Sequence, residues 1–230
     1  MNITGFKKDN SIAQFQELMR RTYSVPDDRY YSLWDLLINQ ERFAMRSLKG
    51  IRKGDCKKLK NNLAIAFSWM MTIGNRLHID VEKETWRRFP FACSYCKSAP
   101  CRCKKEKKKK GRKSSMISRK KPETLSDFQE MFGIIYPPER RTLEEAGIHL
   151  AEEIGELSEA ILCYCGEHKK RQFKKIEIEI ADYVSCVFGV TNSARVDMAT
   201  ELSKIFHHGC QVCHKVPCGC NFSFVGKYKS

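Results

Sequence analysis

Four acidic residues in two stretches of helical pattern are spaced to hold a cation. Glu153 and Glu156 stand three apart, and so do Glu179 and Asp182. Side chains three or four apart share one face of an α-helix, and like charges stacked this way cost an isolated helix about 0.2–0.5 kcal/mol per pair. Glu152 and Glu159 lie in the first stretch as well, and Ile154, Leu157, Ile161, Ile180 and Val184 flank the acids, which sets them at the border of a core. A lone ExxE reads as a solvated face, here with Lys169, Lys170, Arg171, Lys174 and Lys175 close by to pair with it. Two such pairs on consecutive amphipathic helices point to metal. If the helices pack antiparallel, the pairs face each other and need a divalent cation. Hard oxygen donors suit Mg²⁺ or Mn²⁺, with positions left for water and phosphate oxygens.

The second chemical feature occurs twice. Cys93-x2-Cys96-x4-Cys101-x-Cys103 recurs with identical spacing as Cys210-x2-Cys213-x4-Cys218-x-Cys220, each with a proline before the third cysteine (Pro100, Pro217). Four thiolates on two short arms make a closed tetrahedral zinc site, structural rather than catalytic. Iron–sulfur or redox-active thiols are the alternatives, and His207, His208 and His214 are spare ligands that complete cysteine sets do not need. Cys56, Cys163, Cys165 and Cys186 fall in helical patterns as buried or neutral bystanders.

A shift of 117 places superposes the clusters and the helical stretches before them; further upstream the shift is 113, so that Phe15-Gln16-Glu17 and Tyr23 fall on Phe128-Gln129-Glu130 and Tyr136. A period this long means two copies of one small domain. Hydrophobic spacing and turn residues predict helices over 11–22, ended at Val25-Pro26-Asp27-Asp28, then 31–48, 57–77 and 81–88. The second copy repeats them over 124–135, 142–165, 173–191 and 198–207. Ile176-Glu-Ile-Glu-Ile180 alternates like a strand, but Ala181, Val184, Val187 and Phe188 continue it at helical spacing. The expected fold is all-α, with domains at 1–103 and 124–230, each ending in a knuckle, and a linker at 104–123.

The 230 residues carry a net charge of +15, of which +10 comes from Lys104 to Lys121, with eleven Lys or Arg and the single acid Glu106. This run reads as a solvated tether, or as a contact to nucleic-acid phosphates. Twelve cysteines without a secretory signal argue for metal or free thiols over disulfides. No apolar run of about 18 residues exists, so the expectation is a cytoplasmic protein with no membrane contact.

Glu152-Glu153-Ile-Gly-Glu156-Leu157, followed by Glu179-Ile-Ala-Asp182 and preceded by His149-Leu150-Ala151, resembles the signature of the MazG-like all-α nucleotide pyrophosphohydrolases. The resemblance covers roughly residues 124–208. It implies hydrolysis of a nucleoside triphosphate between its α- and β-phosphates, giving monophosphate and pyrophosphate. It also implies that Glu153, Glu156, Glu179 and Asp182 bind Mg²⁺, that one of them or Glu152 positions the attacking water, that Asn192 reaches sugar or base, and that Lys204 holds phosphate. Family members work as dimers or larger assemblies, so the first copy would be a built-in partner in an intramolecular pseudo-dimer, with further homo-oligomerisation open. Through the repeat, the four ligand positions become Gln40, Phe43, Asn62 and Ile65, which cannot hold Mg²⁺ in this way, whereas Asn75 matches Asn192 and Arg87 matches Lys204. Trp34, Trp69 and Phe43 are candidates to stack on a base or to fill the core. The cysteine knuckles depart from the family pattern. The alternative function is a non-catalytic, zinc-stapled module that binds a nucleotide or nucleic acid.

Overall fold

The computed structural model describes residues 4–103 and 120–220, and within them every regular element is helical. The order is α1 (Ile12–Tyr30), α2 (Leu33–Arg52), α3 (Cys56–Arg76), α4 (Val81–Arg88), α5 (Leu125–Ile135), a 3-10 turn (Pro138–Arg140), α6 (Leu143–Glu167), α7 (Lys170–Ser193) and α8 (Met198–Phe206). No described helix is long and apolar enough to cross a membrane. The basic run lies almost wholly outside the described residues.

Polar residues before each apolar pattern set the helix starts. Ser11, Ser32, Thr124 and Thr142 each accept a bond from the backbone three residues on, and that residue's side chain returns one. The ends are less faithful to the sequence. Helix α1 runs eight residues beyond the expected stop at Thr22 and carries Pro26 inside it. A proline there leaves the carbonyl of Thr22 without its helical donor. The backbone N–H of Cys218 supplies the replacement, at 2.7 Å. Likewise α2 continues past Gly50 and α6 past Gly166, the latter closing on a left-handed His168.

The described chain forms two compact units, and neither is one sequence repeat. The first joins the residues up to Val81 to those from Met198 onward; the second spans Glu82–Asp197. Each unit therefore combines the main helices of one repeat with the short last helix and cysteine knuckle of the other. In the first, Phe206 of α8 packs edge-on against Phe15 of α1, which stacks on Phe67 of α3. In the second, Phe89 packs against Phe132 of α5, which stacks on Phe188 of α7.

The repeat is visible in the bonds inside each unit. Gln16 donates to the carbonyl of Ile79 (2.7 Å) and Asn75 to that of Gln16 (3.1 Å). Gln129 donates to the carbonyl of Val196 (2.8 Å) and Asn192 to that of Gln129 (3.0 Å). The knuckles dock alike: Cys218 N–H bonds Thr22 in the first unit, and Cys101 N–H bonds Ile135 (2.8 Å), the residue equivalent to Thr22, in the second.

Asp27, near the end of α1, is 6 % exposed. Burial pushes its carboxyl up to about 7, with Arg76 opposing and Asp28 adding. The folded state thus prefers the protonated acid, so this stability is present below about pH 4 and is lost as pH rises towards 7, at a cost on the order of 1–4 kcal/mol. Asp27→Asn should raise the melting temperature by several degrees at pH 8 and leave it unchanged at pH 4; equal shifts at both pH values would contradict a buried, raised carboxyl.

Candidate functional site

Helices α6 and α7, joined by His168 and Lys169, form a helical hairpin in the second unit. Its seam brings Glu153, Glu179 and Asp182 together, with one carboxylate oxygen of each lying within 4.8 Å of the others. Glu179 and Asp182 are buried, at 5 % and 8 % exposure, and Glu153 is half-buried. Its Oε2 has no hydrogen-bond partner among the described residues. Burial pushes Glu153 up to about 8, and the charges of Asp182, Glu156 and Glu179 add to it while Arg88 opposes. Burial also raises Glu179, again with help from Asp182 and Glu156. An orphaned buried oxygen on Glu153, which like Glu179 is pushed above the usual carboxylate range, beside a third carboxylate is a donor set that fits a divalent cation. Glu156 stands exposed at the rim, close enough for its charge to be felt, whereas Glu152 is exposed and outside the three-oxygen cluster.

One cation is already part of the seam. Arg88, at the end of α4, binds Asp182 with two bonds, Nε to Oδ1 at 3.1 Å and Nη2 to Oδ2 at 2.8 Å. Burial works against the arginine charge, but the bond and charge of Asp182 override it and hold the guanidinium above its ordinary range.

Beside the carboxylates opens a cavity of about 640 Å³, inside the usual range for small-molecule sites. Glu153 and Asp182 form one edge, and Tyr95, Arg102, Tyr136, Arg140 and Arg141 line other parts of it. Arg141 reaches in over Gly189 of α7, where any Cβ would collide with the guanidinium. Burial lowers the pKa of Arg141, and its Nε has no bond partner among the described residues. The carbonyl of Cys101 accepts a bond from Arg140, which ties the knuckle to the cavity wall.

No family model, no curated protein and no solved structure matches this chain.

Each cysteine set comes together as its spacing predicts, with four Sγ atoms within 4.8 Å of one another. Cys93 and Cys103 sulfurs lie 3.7 Å apart, Cys96 and Cys101 3.8 Å, Cys210 and Cys220 3.9 Å, Cys213 and Cys218 3.9 Å. These separations are too long for disulfides. They match the edge of a tetrahedron with Zn–S bonds of about 2.3 Å. Backbone amides add support: those of Arg102 and Gly219 donate to Cys96 and Cys213 at 3.3 and 3.4 Å. Despite burial, such bonds hold Cys96 down to about 6 and Cys213 to about 7. Both sets can hold zinc. Of the other cysteines, Cys56 and Cys163 are exposed, while Cys165 and Cys186 are partly covered.

The two expected substrate ligands have partners of their own. Asn192 is held in the amide clamp with Gln129, as Asn75 is with Gln16. Lys204 lies on α8 in the first unit, where it pairs with Glu201 at 2.8 Å. Its repeat equivalent in the second unit is Arg87, which pairs with Glu84 and with Glu177. In the first unit the ligand positions are neutral: Gln40 is fully buried with both amide atoms unpartnered among the described residues, and Phe43 lies beneath the guanidiniums of Arg42 and Arg46. Trp69 packs edge-on against Tyr31, and Trp34 is partly exposed. Sequence reasoning missed Arg88, Tyr95, Arg102, Arg140 and Arg141, because nothing in a run of arginines or a knuckle loop says which acids they will meet.

Removing Arg88 leaves the carboxylates without their counter-charge, at a cost of roughly 2–5 kcal/mol for a largely buried pair. Arg88→Met should lower the melting temperature by several degrees in chelator, and millimolar Mn²⁺ should restore most of it. Insensitivity to both changes would mean that the acids are not a repelling cluster.

Proposed function

We propose that the second unit is a divalent-metal-dependent nucleotide pyrophosphohydrolase, cleaving a nucleoside triphosphate between its α- and β-phosphates. The observation that carries this reading is the cluster of Glu153, Glu179 and Asp182 at the edge of a cavity that also presents arginines and aromatic rings. These are the parts a metal–polyphosphate substrate needs: oxygen ligands for Mg²⁺ or Mn²⁺, cations for phosphate and flat surfaces for a base. Bound there, the cation would neutralise polyphosphate charge and lower the pKa of a coordinated water.

Glu153, Glu179 and Asp182, with Glu156 at the rim, would hold the cation. Glu152 or a cluster carboxylate would orient the water and accept its proton as the oxygen bonds to the α-phosphorus. The bond from that phosphorus to the bridging oxygen breaks, and pyrophosphate leaves with the electron pair. Arg141 and Arg140 face the departing charge. The MazG-like, tandem organisation belongs to the same proposal; its support is the acid pattern and the matching amide clamps of the two repeats. Neutral Gln40, Phe43, Asn62 and Ile65 make the first repeat inactive in this reading. Zinc in both knuckles completes it, as a structural metal with no part in the reaction.

The test is pyrophosphate release from a panel of ribo- and deoxyribonucleoside triphosphates with Mg²⁺ or Mn²⁺. Wild type should yield monophosphate and pyrophosphate; Glu153→Gln and Asp182→Asn should lose at least about 100-fold in turnover, in line with the loss of metal-borne charge stabilisation, and Gln40→Ala should retain metal binding. Absence of turnover across the panel, with nucleotide still bound, would favour the non-catalytic binding module.

A further inference from the structure

The two knuckles share every cysteine spacing, yet they differ at the positions between the ligands. Tyr95 sits inside the Cys-x2-Cys arm of the first, where the second has Val212; Arg102 sits inside its Cys-x-Cys arm, where the second has Gly219. Only the first knuckle lines the cavity edged by Glu153 and Asp182. The second belongs to the unit whose equivalent positions are Gln40, Phe43, Asn62 and Ile65. Acids and knuckle side chains are thus kept together in one unit and absent together from the other, although they come from different repeats.

Resting on the pyrophosphohydrolase reading of this pocket, we infer that the first cysteine knuckle is its substrate-recognition wall, with Tyr95 stacking on the nucleotide base and Arg102 facing the polyphosphate. Tyr95 is 76 % exposed while lining the cavity, so its ring is open to a ligand there. Its ring lies 5.5 Å from the guanidinium carbon of Arg88, the residue that grips Asp182, so the platform is linked to the carboxylates through that guanidinium. A base stacked on such a ring is held without regard to its hydrogen-bonding edge, at a strength of about one to two powers of ten in affinity. Arg102 is fixed at its backbone by the bond from its amide to the Cys96 sulfur, and Tyr95 by the flanking Cys93 and Cys96. A metal on these sulfurs would pre-organise both side chains, which keeps the ordering cost of binding low. The zinc is then structural in chemistry, while its scaffold determines specificity.

The experiment measures, by calorimetry on the full chain, binding of the α,β-methylene analogues of the nucleoside triphosphates and of inorganic tripolyphosphate, with Mg²⁺ present. Tyr95→Val should weaken the nucleotide analogues by roughly tenfold or more and leave tripolyphosphate unchanged. Arg102→Ala should weaken both. Zinc content and melting temperature should stay at wild-type values in each variant, and Val212→Ala in the second knuckle should change nothing. Affinities within twofold of wild type in both variants, or losses that accompany lost zinc, would overturn the recognition role while leaving the pyrophosphohydrolase reading intact. A wild-type protein that binds none of these analogues would sink that reading, and this inference with it.

Discussion

Three carboxylates on one helical seam repel one another, and the second unit is arranged around that repulsion. Within 4.8 Å, each pair of full charges costs about 3 kcal/mol at an effective dielectric of about 20. Two responses are visible. Glu153 and Glu179 hold their protons more tightly than free acids do, and Arg88 is drawn onto Asp182 from another helix. Neither response satisfies the buried Oε2 of Glu153. A divalent cation would relieve all three groups at once, and this unmet demand is what supports the proposed site. The first repeat shows the same helices with the charges removed, at the price of burying the unpartnered amide of Gln40.

The knuckles are joined to the helices by equivalent backbone bonds, so each is part of the scaffold of its unit. In the first unit the Cys218 amide replaces the donor that Pro26 denies Thr22; in the second, the Cys101 amide caps Ile135 at the end of α5. Each bond locks one arm of a cysteine set to the helix bearing the core phenylalanines. Tyr95 and Arg102 are therefore carried on a framework tied to the same core as the carboxylates.

Much of this was legible in the sequence because it rests on local spacing. The all-α fold, both cysteine sets and the meeting of Glu153 with Glu179 and Asp182 follow from periodicity, three-residue intervals and turn geometry. What escaped was decided by distant partners. Helix α1 passes Pro26 because an amide 192 residues further on, Cys218, stands in for the missing one. The exchange of α4 and α8 between the repeats' helices has no local signature, so Lys204 was expected beside acids whose unit holds Arg87 and Arg88 instead. Asn192 read as a substrate ligand by resemblance, yet its counterpart Asn75 makes the same amide clamp in the first repeat, which gives it a structural task. The contrast of Tyr95 with Val212 was present in the aligned knuckles; its meaning required knowing which knuckle lines the cavity.

As proposed, Glu153, Glu179 and Asp182 would form a divalent-cation site in one repeat that the other lacks. The most direct measurement is a Mn²⁺ titration of the zinc-loaded full chain followed by electron paramagnetic resonance, which counts free and bound ion. The account predicts saturable binding that Glu179→Gln abolishes and Asn62→Ala leaves intact. Saturable binding that survives Glu179→Gln, or no saturable binding in wild type, would contradict it.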